Sequence, residues 1–187
     1  MVKTLFCVVG VFALFGPTSA AAHAESAMAP QPPQTIAALD VPRYMGTWYE
    51  IAKFPNWFQK KCTGATRAEY RQLQDGGVQV INRCRLENGE LSEAIGKAQQ
   101  VGLATSPKLK VRFAPDWLAF LPMVWGDYWV IDLDEDYQLA AVSEPERDYL
   151  WVLSRSPHVE PPRYQELLER LSRKGFDVRR LEPTPQD

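Results

Sequence analysis

Two histidines and three cysteines are all that this chain of 187 residues carries of the side chains that most often bind metals or act as nucleophiles. His23 falls in the N-terminal segment, which leaves His158 in a loop beside Pro157, and a lone loop histidine is ordinarily just solvated. No His/Cys/Asp set has metal-ligand spacing. Asp132, Asp134 and Asp136 alternate, but the glycine and terminal glutamate of a calcium loop are missing, so they read as a charged turn. Ser143, Ser154 and Ser156 lack a G-x-S-x-G setting, and there is no P-loop or dinucleotide fingerprint. Lys60-Lys61 and Arg179-Arg180 are pairs, not patches, and the formal net charge is −2, so no nucleic-acid footprint is expected. The chain therefore reads as a binding protein without metal or cofactor, and not as an enzyme.

Beyond the N-terminus no apolar run approaches the length of a membrane span. At the N-terminus, Lys3 precedes an apolar stretch from Leu5 to Phe15 and then small residues, which reads as a secretory signal peptide over 1–24. Residues 25–38, rich in Ala, Pro and Gln, read as a flexible leader. The remainder, 39–187, suits one domain. Export leaves Cys62 and Cys84, and an even pair in an oxidising compartment favours a disulfide. The turn signal Asp75-Gly76-Gly77 folds 65–73 onto 78–85 and places Cys84 near residue 67. A bond to Cys62 then requires a bulge or a curling chain over 61–64; the alternative is two separately buried thiols.

What is present is strand after strand. Val41 to Met45 forms a short helical turn. Alternating segments follow at 47–54, 64–73, 78–86, 91–101, 108–113, 126–133, 137–143 and 149–155, joined mostly by hairpin-length links. This order predicts an all-β fold, an eight-stranded up-and-down antiparallel β-barrel, whose closure removes exposed edges. Pro161 and Pro162 then open a helix in which Tyr164, Leu167, Leu168 and Leu171 make an apolar stripe. Gly175 ends it, and the stripe packs outside the barrel. Phe176 and Val178 alternate with charged residues, as an added outer strand would.

Phase assigns the interior. If Trp48 points inward, so do Glu50 and Ala52, and Tyr49 and Ile51 face the helix. Ala94, Gly96 and Ala98 form a small-residue row that either leaves volume in a barrel of this size or only relieves crowding in a packed core. The wall and mouth residues expected from phase are Trp57 and Phe58, then Ala68 and Tyr70, then Val80. Ala94 and Gly96, Val111 and Phe113, Tyr128 and Val130, and Trp151 complete them. Glu50 is the awkward inward residue, paired either with a barrel cation or with a polar group of a ligand. The link 114–125 carries Trp117, Leu118, Phe120, Leu121, Met123 and Trp125, and strand polarity sets it beside Trp57 and Phe58, at the end away from Trp48. So many apolar groups in one loop need a use. They line a ligand entrance, contact a membrane or a second copy, or fold over as a cap.

Three separated motifs resemble the signatures of the lipocalin family, specifically the bacterial lipocalins grouped with apolipoprotein D. They are Gly46-Thr47-Trp48-Tyr49-Glu50, Asp136-Tyr137, and Leu150-Trp151-Val152-Leu153-Ser154-Arg155-Ser156-Pro157, in order and followed by a helix. The resemblance covers about Leu39 to Pro185. It implies that Arg155 covers Trp48 at the closed end, a structural role for Gly46, Trp48, Asp136, Tyr137 and Arg155. It also implies binding of a small hydrophobic molecule, and in the bacterial group of fatty acids or lysophospholipids, with homodimers among its members. Those relatives are commonly outer-membrane lipoproteins. Here Cys7 sits inside the apolar stretch and no cysteine stands just after the cleavage site, so the expectation is a periplasmic protein without a lipid anchor, any association with the outer membrane coming from the apolar 114–125 loop. An interaction module built on an inert barrel, or a barrel enzyme, are the other readings.

Overall fold

The structure, a computed structural model, describes residues 31–187; the segment read as a signal peptide and the start of the leader lie outside the described residues. Ordered attachment begins inside the segment that composition assigns to the leader. The Ile36 amide donates to the Val130 carbonyl at 3.1 Å and that of Leu39 to the Thr105 carbonyl at 2.8 Å.

Helix α1 (Val41–Tyr44) is capped by Asp40, whose carboxylate accepts from the Arg43 amide at 3.2 Å. Eight strands follow: β1 (Gly46–Lys53), β2 (Cys62–Gln72), β3 (Val78–Leu86), β4 (Leu91–Gln100), β5 (Lys108–Arg112), β6 (Gly126–Leu133), β7 (Leu139–Ser143) and β8 (Leu150–Ser154). Each pairs antiparallel with the next, β8 pairs with β1, and β1 pairs back to β2. The result is a closed eight-stranded up-and-down barrel with helix α2 (Pro161–Arg173) packed outside.

Two apolar cores follow from the two faces of one sheet. Inside lie Trp48, Tyr70, Val80, Leu109, Val130, Val142 and Leu153. Outside, Ile131, Leu139, Leu150 and Val152 bury Leu167 and Leu171 of α2. Gly175, at φ +87°, ends the helix, and the Phe176 amide reaches back to the Leu171 carbonyl at 3.1 Å, a close that needs a left-handed residue. Two of the three alternating aspartates clamp the helix. Asp132 accepts from Arg170 at 3.0 Å, and Asp134 pairs with Arg163.

Three local departures have physical causes. Ala52 lies in the outer core, not the interior, because a bulge between Glu50 and Ala52 in the β1–β8 pairing reverses the phase. Residues 178–180 form a 3₁₀ turn in place of an outer strand; the added strand β9 (Glu182–Pro183) comes later and pairs with β1. Cys62 and Cys84 are bonded, with Cα atoms 5.5 Å apart. Two register shifts, between Cys62 and Gly64 and between Gly64 and Arg67, draw Cys62 toward Cys84, so the required bulge is present.

The C-terminal tail closes a gap that no strand fills. Beyond Tyr49, β1 leaves β2. There the Thr184 amide donates to the Ile51 carbonyl at 2.9 Å and the Ala65 amide to the Pro185 carbonyl at 2.7 Å. The Gln186 side-chain amide spans both strands, reaching the Glu50 carbonyl at 2.6 Å and that of Thr66 at 3.1 Å.

Candidate functional site

Strand polarity decides which end of the barrel opens. β1 begins at Gly46 and runs toward Lys53, so its starting end also carries the turns 73–77 and 134–138. That end is shut. The Arg155 guanidinium lies 4.0 Å from the centroid of the fully buried Trp48 ring. Its nitrogens donate to the carbonyls of Thr47 and Arg43 at 2.9 Å and of Tyr137 at 3.3 Å. Tyr137 in turn carries Arg43 at 4.1 Å over its ring and accepts the Asp40 amide at 3.0 Å. Residues from the three motifs thus meet in one cation–π and hydrogen-bonded plug. Asp136 has no recorded side-chain contact in it.

Above the plug lies a cavity of about 900 Å³, open at the other end. Its lower wall includes Leu39, Val41, Tyr44 and Tyr70. Ala68, Val80, Ala94, Val111 and Tyr128 stand along its sides, and Trp57, Phe58, Phe113 and Trp151 toward the mouth. Two expected wall residues are not on it. Val130 belongs to the packed core below. Gly96 is covered by Phe113: a Cβ there would come 2.7 Å from that ring and 2.6 Å from the Arg112 carbonyl, so glycine lets β5 approach β4.

At the mouth the aromatics form a collar. Phe58 sits 5.5 Å from Trp57, 5.6 Å from Tyr149 and 6.2 Å from Trp151, centroid to centroid. The 114–125 link divides its apolar residues between two tasks. Val124 and Trp125 line the cavity, whereas Trp117, Phe120 and Met123 stand 72%, 77% and 85% exposed. The link is held by Arg112. Alternation along β5 points this side chain outward, yet it is only 3% exposed, because the link folds over it. Arg112 pairs with Asp116, donates to the Ala114 carbonyl and lies 5.1 Å from the Trp125 ring centroid.

The wall also contains a polar station around Glu50. Its carboxylate accepts from Thr184 Oγ1 at 2.6 Å and from Gln59 Nε2 at 2.6 Å, with Lys53 Nζ at 3.9 Å. Gln59 Oε1 accepts from Trp151 Nε1 at 3.0 Å and from Asn56 Nδ2 at 2.6 Å. Burial raises the Glu50 pKa above its ordinary value, against the lowering effect of those donors and Lys53. Glu50 thus joins the tail, β1 and the link 54–61 that carries Trp57 and Phe58. Phase places Glu50 inside, but its partners come from distant segments. Tyr44, also absent from the expected wall, had a local signal: Val41 and Tyr44 are an i, i+3 apolar pair on a capped turn.

Among the described residues no group of three or more His, Cys, Asp or Glu could hold a metal ion. The geometry is that of a plugged barrel with an apolar cup.

Comparison with known proteins agrees. Residues 39–186 match the Lipocalin-like domain family. Temperature-induced lipocalin-1 of Arabidopsis thaliana is 42% identical over 155 residues, 82% of each chain. Outer membrane lipoprotein Blc of Escherichia coli (strain K12) is 41% identical over 153 residues, 80% of this chain and 82% of that one. The crystal structure of Per a 4, a major cockroach allergen, superposes with a TM-score of 0.64 at 19% identity, covering 82% of this chain and 92% of the other. The second of these relatives corrects one expectation. Bacterial relatives of this similarity are outer membrane lipoproteins, which overturns the reading of a periplasmic protein without a lipid anchor. That reading rested on the position of Cys7, outside the described residues. With a bacterial outer membrane lipoprotein among its relatives, the chain belongs to the lipocalin family, and its function is the binding and transport of a ligand.

Proposed function

We propose that the barrel binds, stores or carries a fatty acid or a lysophospholipid in the cell envelope. The observation that carries this reading is the cavity of about 900 Å³, closed at the Trp48 end, mostly apolar along its sides and open through an aromatic collar. A cavity of that size and lining takes a single small amphiphile. Each methylene drawn from water into the cup contributes about 0.8 kcal/mol, so an acyl chain supplies most of the affinity. Lys61 and Glu146 stand at the rim, and their opposite charges suit a zwitterionic head group left near water. Native mass spectrometry of the protein as purified, followed by lipid extraction, tests the reading. A retained lipid of one-to-one stoichiometry is the expected result. An empty barrel that also fails to take up a fluorescent fatty acid would overturn it.

A second use of the same end is supported by one observation. Trp117, Phe120 and Met123 stand together on the rim as large, mostly exposed apolar side chains. They suit contact with a membrane surface, from which a lipid would enter the cup, or with a second copy of the chain.

A further inference from the structure

The floor of the cup is polar in a way that apolar packing does not require. Tyr44 comes from α1, Tyr70 from β2 and Tyr128 from β6. β2 and β6 are not neighbours in the sheet, so their side chains meet across the lumen. The Tyr128 hydroxyl lies 2.9 Å from that of Tyr44 and 3.0 Å from that of Tyr70. All three residues line the cavity.

Counting hydrogens gives the consequence. Three hydroxyls bring three donor hydrogens, and two contacts among them use two. One hydrogen and several lone pairs are left over, and among the described residues no other side-chain partner is recorded for these oxygens. Three phenylalanines would fill the same floor without burying hydroxyls, whereas a buried donor without an acceptor is costly. The spare hydrogen therefore asks for an acceptor that comes with the ligand.

The station is rigid and uncharged. The Tyr44 ring is held between Trp48, at 4.8 Å, and Tyr70, at 5.7 Å, and Trp48 is held from outside by Arg155. The rings thus stack in a column from the closed-end arginine to the cavity. Burial pushes the Tyr70 hydroxyl up to about 12 and raises those of Tyr44 and Tyr128, so all three are neutral donors at any working pH. A carboxylate does not fit here. One spare hydrogen cannot replace its hydration, and the Arg155 donors are committed to Thr47, Arg43 and Tyr137 behind Trp48.

Resting on the carrier reading above, we propose that Tyr44, Tyr70 and Tyr128 form a specificity site for one uncharged oxygen, a hydroxyl or ketone, at the buried end of the ligand. The barrel then distinguishes chains oxygenated at their leading end from plain alkyl chains. The charged or zwitterionic end remains at the mouth.

The test uses two probes of equal chain length, hexadecanoic acid and 16-hydroxyhexadecanoic acid, with affinities measured by titration calorimetry on the whole protein. The wild type binds the hydroxy acid at least as tightly as the plain acid. Replacing Tyr44, Tyr70 and Tyr128 together by phenylalanine, which removes the spare hydrogen, lowers the ratio of hydroxy-acid to plain-acid affinity about fivefold. If that variant does not fold, the wild type itself is the test, because a hydroxy acid bound about tenfold more weakly than the plain acid means that its hydroxyl finds no partner, which overturns the station. An unchanged preference in a folded variant overturns the station while plain-acid binding keeps the carrier reading. If the wild type binds neither acid, both readings fall.

Discussion

The two ends of the barrel are built on opposite terms. At the closed end every large group is committed: Trp48 is fully buried, Arg155 spends its donors on three carbonyls, and Tyr137 carries Arg43. At the open end Trp57, Trp117, Phe120 and Met123 are left to solvent around the mouth of the cup. Tryptophans at the two ends therefore serve different purposes, one holding the fold and the others meeting what enters it. Substitution separates them. Trp48→Ala should cost about 3–5 kcal/mol, from lost burial and the cavity left behind. Trp57→Ala should cost less than about 0.5 kcal/mol, as expected at an exposed site. Urea unfolding of the two variants checks the contrast, and equal losses would break it.

The next largest effect lies nearer the mouth. The Cys62–Cys84 bond closes a separation of 22 residues around the β2–β3 hairpin. Removing it by a double substitution to serine should lower stability by about 3 kcal/mol through the freed unfolded chain. The same shift should appear when the wild type is unfolded under reductant, and the serine variant should then show no further change. A reductant-sensitive serine variant would mean that another bond carries the effect.

How much of this was legible depends on whether a feature is local. The hairpins were, because Asp75-Gly76-Gly77 and Asn88-Gly89 punctuate an alternating pattern. The plug is not local, and it was legible only through the resemblance of its three motifs to a known family, with phase adding that Trp48 points inward. Ala52 was misplaced because the bulge after Glu50 is set by pairing with β8, a hundred residues away. Of the expected wall, Val130 failed because phase gives the direction of a side chain but not its height in the barrel. The Glu50 station was half visible: the inward carboxyl could be read, but Thr184 and Gln59 reach it only once the tail fills the β1–β2 gap. For the same reason Tyr70 and Tyr128 could be turned inward from sequence, whereas the meeting of their hydroxyls with Tyr44 depends on the barrel's diameter.

Glu50 sharpens the comparison from the middle of the wall. Glu50→Ala should cost about 1–3 kcal/mol by leaving Thr184 and Gln59 without their acceptor. Glu50→Gln isolates the charge. Burial raises the folded pKa, so the folded protein keeps this proton at pH values where the unfolded chain has lost it. The resulting stabilisation is fully present below the ordinary value of 4.5 and is lost as pH rises through the folded value. Thermal melts across that window should show the wild type losing stability with rising pH and Glu50→Gln losing less. Parallel pH profiles would remove Glu50 as the titrating group.

The smallest effect on the fold should come from the rim, where the largest effect on behaviour is expected. Trp117, Phe120 and Met123 sit on two 3₁₀ turns and the link between them, and none is buried. Replacing all three by serine should change stability by no more than about 0.5 kcal/mol at each site. Arg112, Asp116 and Trp125, which hold the link down, are untouched by that substitution. If the rim meets lipid, the variant should lose flotation with phosphatidylcholine vesicles while still binding a fatty acid added in solution. Flotation that survives the triple substitution would end the membrane reading. A variant that floats normally but no longer self-associates in sedimentation would assign the rim to contact between copies of the chain. Loss of stability comparable to Trp48→Ala would dissolve the contrast between the two ends, because the rim would then belong to the core.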